Sequence, residues 1–180
     1  MAKLMSSLFL VLLLVLPMTA FSAQAAPVEQ VGSEKIIQLT YYATVIRFGP
    51  NATVVPVAGI AGKLWASNTF GTIFVGDIPL TVGPSTLSPK VGLVRGLSVV
   101  SSKANDGSGN HMSTSVTFTN KEYNGSTLQI QGIFKSNSRQ GSVLSIVGGT
   151  GKFEGARGSV FLQPYSNSII QNTYKFKLLK

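Results

Sequence analysis

Asp77 is the residue whose type and position point most directly to chemistry. It falls within an apolar segment rich in β-forming residues, two positions before Pro79. A carboxylate buried in such a segment is costly unless it is paired or protonated. The neutral acid could then donate a hydrogen bond or a proton to a ligand oxygen. The alternative is a turn-forming Asp at a strand end, where it accepts hydrogen bonds from backbone N–H groups.

Two arginines and a tyrosine are candidates for contacting a ligand inside the fold. Arg47 and Arg95 lie within apolar segments and could point into a cavity, although a long charged side chain more often lies on the solvent-facing side. Tyr41 and Tyr42 are adjacent, so in a strand one faces inward and the other outward. An inward Tyr41 could stack on an aromatic ligand, or it could simply pack in the core.

The elements that must position these residues are β-strands. Alternation of apolar and polar residues at 115–119, 128–131 and 174–178 is typical of strands with one buried face. Further β-rich runs, separated by turn clusters, occupy 36–47, 53–60, 69–78, 91–101, 142–147 and 157–163. No helical period is present after the N-terminal region. This favours an all-β, single-domain fold, either an antiparallel barrel or a sandwich. A barrel of about eight strands has room for side chains or one small ligand.

The N-terminal region predicts secretion. Lys3 gives a positively charged start, residues 8–17 form a short apolar run, and Ala23-Gln24-Ala25 fits a signal-peptidase site. The run is shorter than the roughly 20 residues of a membrane span. We therefore expect residues 1–25 to be a cleaved signal peptide, 26–35 a flexible segment, and 36–180 one domain with no membrane association.

Composition excludes several kinds of site and suggests some partners. With no cysteine and one histidine, disulfides, cysteine-ligated metals and multi-histidine sites are excluded, and no metal site is expected. The chain has 15 basic and 6 acidic residues, a net charge of +9. The cations are scattered without an aromatic stacking motif, which argues against nucleic acid. In a secreted protein the same charge would attract an acidic cell-wall polysaccharide. Asn51 and Asn124 begin sequons in turn clusters and are predicted glycosylation sites.

The glycine-rich stretch at 147–158 does not fit a phosphate-binding loop. Aligning Gly151-Lys152 with a Walker A motif puts Ile146 at its first glycine and Phe153 at its metal-binding hydroxyl. A helix must follow such a loop, but the residues after this one have the pattern of a strand. We expect a β-hairpin with its turn at Gly148 to Gly151.

Three segments of the sequence resemble motifs of plant dirigent proteins. They are VGGTGKF and ARG at 147–158, FGTIFV with D-x-PLT at 70–81, and EYNGSTL at 122–128. Val91-Gly92 with Gly96, and the opening of 53–59, extend the similarity over nearly all of 36–178. The chain is identified as a divergent member of this family.

The resemblance implies an eight-stranded antiparallel barrel of the allene-oxide-cyclase type, secreted to the apoplast, glycosylated and homo-oligomeric, as a dimer or trimer. It also implies no cofactor and no oxidising centre of its own. A separate laccase or peroxidase oxidises a monolignol such as coniferyl alcohol. The dirigent protein then holds two phenoxy radicals so that they couple to an optically active lignan. Arg157, in the ARG motif, would contact a phenolate or methoxy oxygen, or hold Asp77 or Glu154 structurally.

Two alternative functions stay open. Some relatives close a quinone methide, and Asp77 would then be the acid. A non-catalytic cell-wall protein could instead bind polysaccharide or store a phenolic ligand. The sequence also departs from the family pattern, because Thr44-Val45 replace a His-Asp pair and Ser142-Val143 replace an Arg-Glu pair. Ile78 replaces the second of two aspartates, and an arginine position is Leu93.

Overall fold

The computed structural model describes residues 36–179, so the predicted signal peptide and the segment 26–35 lie outside the described residues. The described chain forms nine strands and one short 3₁₀ turn. The strands are β1 (Ile37–Thr44), β2 (Val54–Ala58), β3 (Ile73–Thr81), β4 (Lys90–Val100), β5 (Asn110–Phe118), β6 (Thr127–Phe134), β7 (Ser142–Thr150), β8 (Ala156–Pro164) and β9 (Ile169–Leu178). Between residues 36 and 179 there is no helix of the length and apolarity that a membrane crossing requires.

Eight of the strands close into an antiparallel barrel. Consecutive strands from β3 to β9 pair with one another, and β9 pairs with β1. The barrel closes where Tyr42 and Ala43 of β1 lie opposite Thr81 and Leu80 of β3. β2 pairs with the first half of β3. Thus β1 and β2 pair with different parts of the same edge of β3. The predicted eight-stranded barrel is confirmed, and β2 is an additional ninth strand.

One end of the barrel is closed by packed aromatic rings. The Phe118 ring lies at the centre of this aromatic cluster, 5.2 Å from Phe153, 5.9 Å from Tyr123 and 6.5 Å from Tyr174 between ring centroids. Phe153 also packs edge-on against Phe176 at 5.2 Å. Such edge-to-face contacts add to the stability gained from burying large apolar surfaces. This end of the barrel therefore leaves little space for a ligand.

The glycine-rich stretch forms the end of β7 and the tight connection to β8. β7 continues to Thr150, so Gly148 and Gly149 are strand residues, and the expected position of the turn is wrong. The turn is the 3₁₀ segment Gly151–Phe153, in which Gly151 has φ +63°. Gly149 allows a close approach, because an added Cβ would lie 2.3 Å from the Phe153 carbonyl oxygen. This connection thus places the Phe153 ring in the aromatic cluster.

Candidate functional site

An apolar cavity of about 120 Å³ lies in the other half of the barrel and borders the aromatic cluster at Tyr174. It is bounded by the first residues of β3, β5 and β9 and by the last residues of β4, β6 and β8. Its apolar lining includes Val45, Val54, Phe74, Ile78, Met112, Phe134 and Ile170. A concave, mostly apolar space with a few polar groups is the usual form of a small-molecule site.

The cavity exists because small residues face one another on neighbouring strands. Gly76 of β3 lies opposite Gly96 of β4, which lies opposite Thr114 of β5. The atoms nearest to a Cβ added to Gly76 would belong to the side chains of Ile78 and Val54, at 3.4 and 3.6 Å. Gly96 has φ +153°, and an added Cβ would lie 2.3 Å from a backbone oxygen of β5. In most barrels of this size, side chains fill this space. Here the small residues leave it open.

Seven neutral polar residues also line the cavity: Ser67, Ser98, Asn110, Thr114, Ser136, Asn172 and Tyr174. The Oγ1 atom of Thr114 is buried and has no hydrogen-bond partner among the described residues. On the opposite side of the barrel, the Asn172 amide donates to the Tyr174 hydroxyl at 3.4 Å. Burial raises the pKa of Tyr174 well above its ordinary value, so the hydroxyl stays protonated and can donate a hydrogen bond. Apart from Arg47, which also lines the cavity, the wall thus offers hydrogen-bonding groups without charge.

A second cavity, of about 220 Å³, adjoins the entrance of the first. Arg47, Phe134 and Ser136 line both cavities. Lys135 and Arg139, in the loop after β6, line the second cavity only. Arg47, Lys135 and Arg139 have no salt bridge to any residue in 36–179. We call this second space the entrance cavity, and its cations stand next to the opening of the apolar cavity.

Asp77 and Arg95 lie on the outer surface of the barrel, so the expected burial of Asp77 is wrong. Gly76 and Ile78 face the interior, and alternation along β3 turns the residue between them outward. The Asp77 side chain is 60% exposed and accepts hydrogen bonds from Arg95 Nε at 3.1 Å and Nη2 at 3.3 Å. The two residues are direct partners in the β3–β4 ladder. They form a cross-strand ion pair, and neither lines the cavity.

Arg157 and Tyr41 also lie away from the cavity, which corrects the expectation that they contact a ligand there. Arg157 is exposed on β8, where buried Ala156 precedes it, and its Nη1 donates to the Ala156 carbonyl at 2.8 Å. Tyr41 faces inward but belongs to the closed end, 6.1 Å from the Phe118 ring. Burial, with the charge of Glu122, raises the Tyr41 pKa. Of the predicted ligand contacts, the structure brings Arg47 to the cavity.

The two predicted glycosylation sites lie in exposed turns. Asn51 and Asn124 are both solvent-accessible. The hydroxyls of their sequons bond within the fold: Thr53 donates to the Thr44 carbonyl at 3.0 Å, and Ser126 accepts from the backbone N–H of Lys152 at 3.1 Å. Both asparagines are accessible to a glycan, and their glycosylation stays a prediction.

The neutral polar residues of the apolar cavity were missed by sequence reasoning. Alternation at 174–178 puts Tyr174 and Phe176 on one face, and extending it back by two residues would have added Asn172. Nothing local distinguishes Thr114 from other threonines in strands. In the part of the chain that the structure describes, no group of three or more His, Cys, Asp or Glu side chains could hold a metal ion.

The fold and the cavity define a class of protein, a β-barrel closed at one end and open to a small ligand at the other. The family model described as Dirigent-like protein matches residues 36–178. The chain therefore belongs to the dirigent family, whose members are generally extracellular.

Relatives and a solved structure agree with this assignment. Pterocarpan synthase 1 of Glycyrrhiza echinata is 36% identical over 155 residues, which cover 86% of this chain and 81% of that protein. Dirigent protein 1 of Arabidopsis thaliana is 35% identical over 158 residues, with 86% and 83% covered. A solved structure of a pterocarpan synthase dirigent protein has a TM-score of 0.71 and 34% identity, and the match covers 84% of this chain and 89% of that one.

Proposed function

We propose that this protein is a secreted dirigent protein of the apoplast that imposes one stereochemistry on the coupling of monolignol phenoxy radicals. The observation that carries the proposal is the apolar cavity, with neutral hydrogen-bonding groups at Thr114, Asn172 and Tyr174. A phenolic ring is apolar on its faces and polar at its hydroxyl and methoxy edge, so it matches this wall. Membership of the dirigent family supports the proposal.

The oxidation belongs to a separate laccase or peroxidase. That enzyme removes one electron and one proton from each phenol and leaves a phenoxy radical. Two radicals each contribute one electron to a new carbon–carbon bond, which gives a bis-quinone methide. The side-chain hydroxyl oxygens then add to the methide carbons, and the hydroxyl protons pass to the quinone oxygens. This restores two phenols within a lignan.

The part of this protein is to position one radical and to limit the approach of the other. Hydrogen bonds from Thr114 or Asn172 would fix the phenolic edge, while the closed end stops the ring and the open end presents its side chain. A difference of about 1.4 kcal/mol between the two faces of attack gives a tenfold preference. One net hydrogen bond is worth about 1 kcal/mol, so one or two such contacts are sufficient. This is catalysis by orientation.

Closure of a phenolic quinone methide is a second candidate, favoured by the pterocarpan synthases among the relatives. Asp77 is unsuited to be its acid because it is ion-paired outside the barrel. The protonated Tyr174 hydroxyl and the Asn172 amide would instead donate hydrogen bonds to the quinone oxygen. Both candidates use the same cavity, and they differ in whether the reactive species is a radical pair or a closed-shell quinone methide.

Chiral chromatography separates the candidates. The secreted protein is incubated with coniferyl alcohol and a laccase, and the enantiomeric excess of the lignan is measured against protein dose. We expect the excess to rise with dose, and Asp77→Asn to behave as the wild type because Asp77 lies outside the cavity. A racemic product at every dose would contradict the first candidate. Faster closure of a supplied phenolic quinone methide, without oxidant, would then support the second.

A further inference from the structure

The entrance cavity has a chemistry of its own. Arg47, Lys135 and Arg139 bring three cations to its wall, and no Asp or Glu is among the described residues that line it. Asp106 lies on a neighbouring loop. Its backbone carbonyl accepts a hydrogen bond from the Asn137 side chain. The Asp106 carboxylate accepts a hydrogen bond from its own loop, from the Ser108 backbone N–H at 2.8 Å. The cationic wall is therefore not neutralised from within the cavity.

Neutral donors accompany these cations. The Ser138 and Ser166 hydroxyls line the entrance cavity. Each accepts a hydrogen bond from a backbone N–H, of Gln140 at 3.2 Å and of Ser168 at 3.4 Å. Since a hydroxyl that accepts still has its own hydrogen to donate, both can donate to a ligand. Cations together with hydroxyl donors favour an anionic group, and guanidinium groups match the shape of a carboxylate.

The two cavities are contiguous. Val45, Phe134 and Ile170 line both, as do Arg47 and Ser136. A molecule with an apolar ring at one end and an anionic group at the other can therefore occupy both at once. The ring would be enclosed by the barrel, and the anion would lie among the cations at its entrance.

We propose that, besides neutral monolignols, the site takes a phenolic carboxylate such as a hydroxycinnamate and binds it more tightly, with its ring in the apolar cavity and its carboxylate bound by Arg47, Lys135 and Arg139. The inference rests on the proposed function, because it takes the apolar cavity as the site of the phenolic ring. A carboxyl group of this kind is ionised at neutral pH. The acid is thus preferred over the neutral alcohol of the same carbon skeleton.

Calorimetric titration of three matched compounds tests this. Ferulate, its methyl ester and coniferyl alcohol carry the same ring substituents, and ferulate alone is charged. We expect ferulate to bind the secreted protein about fivefold more tightly than either neutral compound, with the advantage shrinking as salt is raised. Lys135→Gln with Arg139→Gln, which leaves Arg47 as the one cation of the three, should reduce the advantage and leave coniferyl alcohol binding unchanged. Arg157→Gln, which removes a cation from the outer surface, is the matched control.

The outcomes distinguish this inference from the proposed function. Equal affinity for ferulate and its methyl ester, or a ferulate advantage that Lys135→Gln with Arg139→Gln leaves undiminished, overturns the inference, while coniferyl alcohol binding leaves the proposed function standing. Gly76→Leu fills the apolar cavity and tests the function separately. If this variant is folded by circular dichroism and binds coniferyl alcohol like the wild type, the proposed function fails. If it also binds ferulate like the wild type, the inference fails with it.

Discussion

Replacing Thr114 with Val should make the protein more stable and, at the same time, a poorer binder of phenols. The Thr114 hydroxyl is buried in the cavity wall without a partner among the described residues. An unsatisfied buried group of this kind costs about 1–3 kcal/mol. Valine keeps the shape and removes the hydroxyl. At the low end of that range, the free energy of unfolding rises by about 1 kcal/mol and the melting temperature by about 2–4 °C.

The expected effect on binding has the opposite sign. If the hydroxyl donates to or accepts from a bound phenol, its loss removes one net hydrogen bond, worth about 1 kcal/mol. The dissociation constant for coniferyl alcohol should then rise about fivefold, and the enantiomeric excess of the coupled product should fall. Thermal unfolding followed by circular dichroism, together with calorimetric titration, measures both quantities on the same preparation.

Thr72→Val is the matched control. Thr72 Oγ1 is also buried without a partner, but Thr72 does not line the apolar cavity. It should stabilise the protein by a similar amount and leave phenol affinity unchanged. A Thr114→Val variant that binds coniferyl alcohol as tightly as the wild type, or two Thr→Val variants that weaken binding equally, would show that the Thr114 hydroxyl does not contact the phenol.

Three further outcomes are expected. Gly76→Leu should abolish phenol binding with the barrel intact, whereas Gly96→Ala should fail to fold because its Cβ would meet a backbone oxygen at 2.3 Å; titration and circular dichroism compare them. Asp77→Asn should lower the free energy of unfolding by at most about 1 kcal/mol, as for other exposed ion pairs; a larger loss in urea denaturation would contradict this. Burial, then a hydrogen bond with Glu122, raises the pKa of Tyr123 to about 12. The unfolded chain loses that proton near pH 10. The contribution of Tyr123 to the free energy of unfolding should therefore be fully present below pH 10 and should be lost as the pH rises towards 12. Tyr123→Phe should reduce this loss, measured by thermal melts against pH.

Alternation and turn chemistry predicted most of the barrel, because both are local properties of the chain. The pattern fails locally around Asp77. Val75 is apolar but 40% exposed, and Gly76 faces inward without a side chain. A run of apolar residues around one carboxylate therefore suggested burial, although the positions of Ile78 and Leu80 already implied that Asp77 faces outward. The carboxylate is there because Asp77 pairs with Arg95 across the strands, and this pairing depends on the register of β3 against β4.

The sequence by itself determined the all-β class and the family, because period-2 alternation, turn glycines and the motif order are local properties of one chain, and the family resemblance implied the barrel. It did not determine which end of the barrel is open or which polar groups share a wall. Thr114 and Asn172 lie 58 positions apart on opposite sides of the barrel. Arg47 and Arg139 come from loops before β2 and after β6. Such residues reach one cavity because the register of each strand pair in the closed sheet fixes which residues lie at the same end of the barrel.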